Sequence, residues 1–535
     1  MGGVASHKSD GLNAVLERAG SRSGAINISG RYHKAPQRLE DEYEPIKGKV
    51  LGKGYNGVVY LARSKRTGDQ YAVKPFKLSG IKKEKREELM SECEIFLCMD
   101  HPHVARLTDV YEEKDCLNLV MECMGGGEVF QRVLKEKRFS EKDAVDTAWQ
   151  MLLALNYIHT QGVVHRDIKL ENFLYESEGA RHLKLIDFGF SKLWTPNTKL
   201  RLSCGTLSYV APEVLGQSYG SKCDMWSLGV TVFILLFGYM PFSGAEEHQI
   251  KCIKAGKYTK QERLWKKAST EAHHFIESLL VTDPASRLSA AEALETPWIK
   301  RRDKLFQQEN EIHQETVDAL SSFAQASHFR RATMNMMAWS LTNEERAQVR
   351  DAFIEMDTDR SGTININEFK KVMESKFHID CEHASAAFEA IDYNNQEEIH
   401  YSEFLAAMAA TRIKMHDDLI QKTFHRFDVD NSGFITRENL KQVLGDVFKE
   451  EEVDSIMADL DTSHDGQISY EEFFEYITHP EAHSNHHDIA AAVVDHHVSQ
   501  SEDRAATARS KTNPSVIGSK EPPVGKKKLA CCVAQ

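Results

Sequence analysis

"LGKGYNGVV", residues 51–59, sets Gly52, Gly54 and Gly57 in a G-x-G-x-x-G-x-V frame. Glycine lets backbone N–H groups approach phosphate oxygens with no Cβ in the way. Taken alone, the run is as well explained by a Gly-rich hairpin turn. The residues downstream decide between the two. "YAVK" puts Lys74 on the next strand, within reach of α- and β-phosphates, and Glu92, in the helix before "MDHPHV", is placed to pair with that lysine. "HRDIKLEN" (165–172) then brings Asp167, Lys169 and Asn172, "DFG" brings Asp187, and "APE" (211–213) comes last. Each motif singly reads as a turn or a surface charge, but in this order they read as one constellation.

At 535 residues the chain has room for three or so domains, and its formal charge of −13 argues against nucleic acid as a partner. No apolar run reaches about 18 residues, so no transmembrane helix is expected. "MGGVASHKSD" lacks the charged-then-apolar form of a secretory signal, and ten scattered cysteines suit reduced thiols in the cytosol. Residues 1–45 are Gly/Ser-rich and, through Arg38, carry six Lys or Arg against two acids, which predicts a mobile basic arm. From 46 to 299, strand-like runs precede longer helix-period segments, predicting an α+β domain of two parts with a cleft between them. Residues 300–341 form a mixed charged and apolar helical junction. Acidic loops then begin at Asp357, Asp392, Asp428 and Asp461, at spacings of 35, 36 and 33, so 342–479 reads as a repeated helix–loop–helix unit. Residues 480–535 are His-, Ser- and Lys-rich and read as a disordered tail.

Between 46 and 299 the ordered motifs resemble the eukaryotic protein kinases. That resemblance implies a bilobal fold with ATP and Mg2+ as cofactors. Asp167 would orient the substrate hydroxyl and accept its proton, and Lys169 would neutralise the transferring phosphoryl group. Asn172 and Asp187 would hold magnesium. The nucleotide would be bound by Leu51, Gly52, Gly54, Gly57, Val59, Lys74 and Glu92, with Met121 narrowing the back of the pocket. Asp224 and a Glu213–Arg287 ion pair would be structural supports. A pseudokinase usually lacks the catalytic Asp, the metal Asp or the strand Lys, and all three are present. Glu128 in "MGGGEVF" and Glu171 match the acids of Arg-directed kinases, so the expected substrates are protein Ser/Thr with Arg or Lys upstream, chiefly at the third position before. The further acid that some such kinases carry, in the stretch matching "TVFILLFGYMPF", is missing.

The repeat supplies Ca2+ ligands. "DTDRSGTININE" (357–368) fits the EF-hand loop throughout, with Asp357, Asp359, Ser361, the Thr363 carbonyl and Glu368 as ligands and Gly362 at the turn. "DTSHDGQISYEE" (461–472) fits too, through Asp461, Ser463, Asp465, Gln467 and Glu472. Loop two has Glu397 in place of the turn glycine. Loop three keeps Asp428, Asp430 and Ser432 but ends in Asn439, whose amide offers no charge and one oxygen. Two tighter sites are expected, at loops one and four, with one in each pair of hands.

A kinase domain followed by a junction and four EF-hands resembles the calcium-dependent protein kinases of plants and certain protists, over residues 46–479. The resemblance implies an autoinhibitory junction that the EF-hands grip when calcium binds, with Phe329, Met334, Met337, Trp339 and Leu341 as gripped residues. "FRRATM" (329–334) also makes Thr333 a candidate phosphoacceptor. A calmodulin-dependent kinase would carry no EF-hands of its own. The alternative of another class is a calcium-switched membrane scaffold whose kinase domain mainly binds partners. "MGGVAS" matches a myristoylation motif at Gly2, and the C-terminal "KKKLACCVAQ" offers Cys532 for prenylation and Cys531 for palmitoylation. A monomer held at the cytoplasmic face of a membrane, the plasma membrane for preference, is the expectation.

Overall fold

The computed structural model describes residues 31–54, 57–65, 67–80, 89, 93, 96–186, 192–193, 207–216, 220–306, 312–392, 396–409, 417–444 and 450–479. Strands β1 (Tyr32–Lys34), β2 (Tyr43–Gly54), β3 (Gly57–Ser64), β4 (Gln70–Lys77), β5 (Leu107–Glu112) and β6 (Cys116–Glu122) form one sheet in the order β1-β5-β6-β4-β3-β2. β2, β3 and β4 follow one another as antiparallel neighbours, whereas β1 lies parallel to β5, with Tyr32 opposite Val110.

β1 corrects the reading of residues 1–45 as a mobile arm. From residue 31 onward the chain belongs to the sheet lobe. Arg31 is 2% exposed and donates to the carbonyls of Leu107 (2.8 Å) and Leu97 (3.2 Å). His33 stacks on Tyr111, and Leu39 and Tyr43 join a small core with Val73 and Val120. Residues 1–30 lie outside the described residues.

Helices α1 (Val129–Glu136) and α2 (Glu141–Thr160), the hairpin of β7 (Phe173–Tyr175) and β8 (Leu183–Leu185), and α3 (Lys222–Phe237) carry the second lobe. Ser140 caps α2 by accepting the Asp143 N–H, with Glu141 and Asp143 favourably placed at the positive end of the helix. α3 is buried on nearly all sides and stops at Gly238, whose φ is 76°. A Cβ there would lie 2.0 Å from the Lys137 carbonyl oxygen, so only glycine fits. α4 (Pro297–Phe306) runs across the expected boundary at 299, because Arg302 lies 3.6 Å over Trp149 and pairs with Asp146 at 2.7 Å.

Beyond α4 come α5 (Gln314–Gln325), α6 (His328–Ala338), α7 (Asn343–Met356), β9 (Ile364–Asn365), α8 (Ile366–Phe377), α9 (Cys381–Ile391), β10 (Glu398–Ile399), α10 (Tyr401–Ala409), α11 (Asp417–Phe427), α12 (Arg437–Leu444), α13 (Glu450–Leu460) and α14 (Tyr470–Thr478). Loops pair as expected: β9 is antiparallel to β10, and Ile435 and Ile468 exchange backbone hydrogen bonds of 2.9 Å. Helices α5 and α6 of the junction share one core with the EF-hand helices. Phe323, Phe329, Met334, Met337 and Leu341 pack with Phe353, Phe404, Phe427 and Phe473. Thr333 is fully buried there and its hydroxyl donates to the Phe329 carbonyl at 3.0 Å, so it is no accessible phosphoacceptor in this arrangement. Trp339 departs from its neighbours. It sits between two guanidinium groups, with Arg31 at 3.5 Å and Arg106 at 4.1 Å from its ring centroid.

Charges tie this helical module to the kinase-like lobes. Glu122, at the end of β6, receives Lys184 from β8 (2.8 and 3.0 Å) and Arg346 from α7. Glu176 bonds Arg350 of α7 at 3.0 Å, and Asp109 of β5 bonds Arg426 of α11 at 3.2 Å. Among the described residues no helix is long and apolar enough to cross a membrane. Replacing Trp339 by Ala removes a fully enclosed ring, and we expect a loss of about 3–5 kcal/mol for the docked module. Chemical denaturation of the full chain should show the EF-hand helices melting earlier, with the kinase transition less affected.

Candidate functional site

The segment after α2, braced by the start of α3, builds the catalytic centre. Asp224, at the start of α3, accepts the backbone N–H groups of His165 (2.9 Å) and Arg166 (2.8 Å) and bonds the His159 ring at 2.9 Å. These bonds hold Arg166 at a φ of 70° and so fix the direction of the next residue, Asp167. Asp167 is 7% exposed. Its Oδ2 accepts from Lys169 Nζ at 2.6 Å and from Asn172 Nδ2 at 3.1 Å, and Asn172 also donates to the Asp167 carbonyl at 2.7 Å. Three of the expected residues therefore meet at one carboxylate. The Glu213–Arg287 support is bidentate, at 2.6 and 3.0 Å, with Arg287 buried.

The sheet lobe carries Lys74 on β4, 4% exposed, and the β2–β3 hairpin. Gly52 pairs with Val59, and Gly54 pairs with Gly57 at the hairpin end. Leu51 and Val58 are exposed there, large apolar side chains left uncovered by the rest of the chain. Met121, on β6, is half-buried and opposite Ala72 and Leu107. Glu92 and Asp187 lie outside the described residues. The donor set suits a nucleotide with a hard cation, with a buried amine on the sheet and a carboxylate and an amide on the loop. Glu128 is held above the ordinary carboxylate range by partial burial and then by the charge of Glu171. Two acids so placed favour a cationic side chain.

In the calcium loops, among the described residues, one set of three carboxylates has ligand atoms all within 4.8 Å of one another: Asp357, Asp359 and Glu368 of loop one. Burial, with Glu368 and Asp359 adding to it, pushes the Asp357 carboxyl up to about 8, although the Gly362 N–H opposes the rise. Such a group is stabilised by a cation. Gly362 N–H donates to Asp357 Oδ2 at 2.9 Å, and Ser361 Oγ lies 3.2 Å from the Thr363 carbonyl, so the whole expected ligand set converges. Loop four repeats the frame: Asp461 accepts from Gly466 N–H (2.8 Å), Asp465 N–H (3.2 Å) and Ser463 Oγ (3.2 Å), Gln467 N–H bonds Asp465 at 2.9 Å, and Glu472 reaches back to Ser463 N–H at 2.9 Å.

At their described residues the two altered loops keep backbone bonds to their first aspartate and lose chemistry. Glu397 stands at φ 64°, a conformation that disfavours side chains, yet its N–H bonds Asp392 at 2.8 Å. In loop three, Ser432 and Gly433 N–H groups bond Asp428 at 2.9 Å, and Asp430 accepts from Ser432 at 3.2 Å. Asn439 uses its amide oxygen to accept the Thr436 N–H at 3.0 Å, and Glu438 is exposed.

Sequence reading missed the charged docking residues. Lys184 gave a faint signal as a lysine in the middle of the apolar strand "LKL"; Arg31, Arg106 and Arg346 gave none.

A protein kinase domain family model matches residues 46–299, and an EF-hand domain pair matches 346–409 and 417–478. Calcium-dependent protein kinase 3 of Plasmodium berghei (strain Anka) is 33% identical over 82% of this chain and 80% of its own length. Calcium-dependent protein kinases 34 and 17 of Arabidopsis thaliana are 34% and 32% identical, over 80% and 88% of this chain and 82% and 96% of their own lengths. ATP and Mg2+ serve the kinase domain and Ca2+ the EF-hands. The chain belongs to the calcium-dependent protein kinase family.

Proposed function

We propose that this chain is a calcium-activated serine/threonine protein kinase that phosphorylates sites preceded by arginine or lysine, and that its junction inhibits it until calcium binds. The observation that carries the catalytic reading is the meeting of Lys169 and Asn172 at the Asp167 carboxylate. ATP with magnesium supplies the phosphoryl group. Asp167 orients the substrate hydroxyl and takes its proton. Lys169 places positive charge where the phosphoryl group passes, Asn172 and Asp187 offer oxygen ligands to the metal, and Lys74 with Glu92 aligns the phosphates. Glu128 and Glu171 bind the upstream cation.

The regulatory reading rests on where the module is docked. Its described bonds to the rest of the chain fall on Gln37, Asp69, Asp109 and Glu122 of the sheet lobe, on Asp100 and Arg106, and on Asn156, Thr160, Glu176 and Lys184, and none falls on Asp167, Lys169, Asn172, Glu128 or Glu171. We read this docking as that of a released enzyme; α6 packing with the EF-hand helices supports that reading. Without calcium, the junction returns to the kinase cleft. Gly2 myristoyl, with a prenyl group on Cys532 and palmitoyl on Cys531, holds the enzyme to the cytoplasmic face of a membrane as a monomer. One acyl chain binds only marginally, and the C-terminus supplies the second anchor.

Phosphate transfer to an Arg-containing peptide should be strong in calcium, weak in chelator and absent from Asp187→Ala; equal rates in calcium and chelator would refute the inhibitory junction. Glu171→Ala and Glu128→Ala should each raise KM at least about tenfold for peptides with Arg at the third upstream position, with kcat little changed, and should leave peptides lacking that Arg unaffected. Mass spectrometry of the protein from cells should find Cys532 alkylated and the last three residues removed; an unmodified C-terminus rules out the second anchor.

A further inference from the structure

Loop one differs from loops three and four in being covered. Gly362, Thr363 and Ile364 are buried, whereas residues 430–434 and 462–467 are exposed. The cover is α2 of the kinase domain. Asn156 Nδ2 donates to the Arg360 carbonyl at 2.6 Å, and Thr160 Oγ, which donates to the Tyr157 carbonyl of its own helix at 2.7 Å, shares that proton with the Ser361 carbonyl at 3.3 Å. Between them the Tyr157 ring meets Gly362 so closely that a Cβ there would lie 2.4 Å from it. Tyr157 is itself fixed: it stacks on His101 at 4.8 Å, and its hydroxyl accepts the Asp100 N–H at 2.9 Å. Asp100 in turn accepts the Ser402 N–H at 2.7 Å and so seats α10, a helix of the paired hand.

The three residues that α2 touches, Arg360, Ser361 and Gly362, are positions four, five and six of the loop, where the chain must turn. Arg360 has φ 59° and Gly362 has φ 90°. Ser361 between them supplies a ligand oxygen. Ordering a turn of this kind opposes ion binding in a loop surrounded by water. We infer that Asn156, Tyr157 and Thr160 are positioning residues of the first calcium site: the kinase domain holds the loop in the shape that its ion needs. This rests on the proposed reading that loop one binds calcium. By linkage, docking on α2 raises the affinity of that site, and calcium in that site favours docking by the same factor. Among the described residues loop four makes no such contact with the kinase domain, so the two well-formed loops differ in affinity, loop one borrowing its rigidity from the enzyme.

Calcium titration of the full chain against a chromophoric chelator tests this. Glu368→Gln and Glu472→Gln identify the two sites by removing one ion each. In the Asn156→Ala/Thr160→Val variant, the site assigned by Glu368 should weaken at least about fivefold, the site assigned by Glu472 should hold, and Thr160→Ser in place of Thr160→Val should recover part of the loss. Hydrogen exchange in calcium should show faster exchange at residues 360–363 of the same variant. Unchanged affinity at both sites overturns the inference and leaves calcium binding by loop one intact, and so does an equal weakening of both sites. If Glu368→Gln removes no ion, loop one is not a calcium site, and the reading beneath the inference falls with it.

Discussion

A single buried carboxylate joins the three parts of this molecule. Glu122 lies one residue past Met121, at the end of β6, and is 9% exposed. A charge so placed and left alone would cost several kcal/mol. Burial alone would raise its pKa, but Arg346 and then Lys184 outweigh burial and hold it at about 2. Lys184 comes from the helical lobe and Arg346 from the calcium-binding module, while the Arg106 N–H donates to the same carboxylate at 2.7 Å. Sheet lobe, helical lobe and regulatory helices thus share one ionic centre.

The charges around it alternate. Lys184 also approaches Glu176 at 3.4 Å, and Glu176 binds Arg350. With α7 in place, two glutamates face three cations. With α7 withdrawn, the same two glutamates retain one lysine between them. In the docked state burial, followed by repulsion from Arg346, lowers Lys184 to about 8; withdrawing α7 removes that repulsion but leaves two carboxylates to one amine. The face exposed by undocking is therefore electrostatically incomplete, which gives the regulatory module a preferred address on the enzyme.

Motifs were legible where chemistry fixes spacing. Asp167, Lys169 and Asn172 lie within one turn of chain, so their convergence is local, and each calcium loop gathers its ligands within twelve residues. Contacts across the fold were not legible. Arg31 finds its acceptors 66 and 76 residues away, and nothing in a Gly/Ser-rich arm marks one arginine as buried. Thr333 misled for a related reason. The arginines before it resembled a recognition sequence, yet Arg330 bonds the Tyr476 carbonyl and Arg331 the Ala390 carbonyl, both at 3.3 Å, as helix-packing residues. Local sequence shows which groups are present, and only the packed chain shows which of them are already engaged.

Strand β1 bears on where this enzyme begins. The family match starts at residue 46, after β1, Leu39 and Tyr43 have been added to the sheet and after Arg31 has closed one side of Trp339. The kinase-domain match is therefore shorter than the unit that is mechanically whole. Those fifteen or so extra residues touch both the catalytic sheet and the junction, through Asp109 and Trp339. They make this segment a clasp: it fastens the regulatory module to the catalytic sheet.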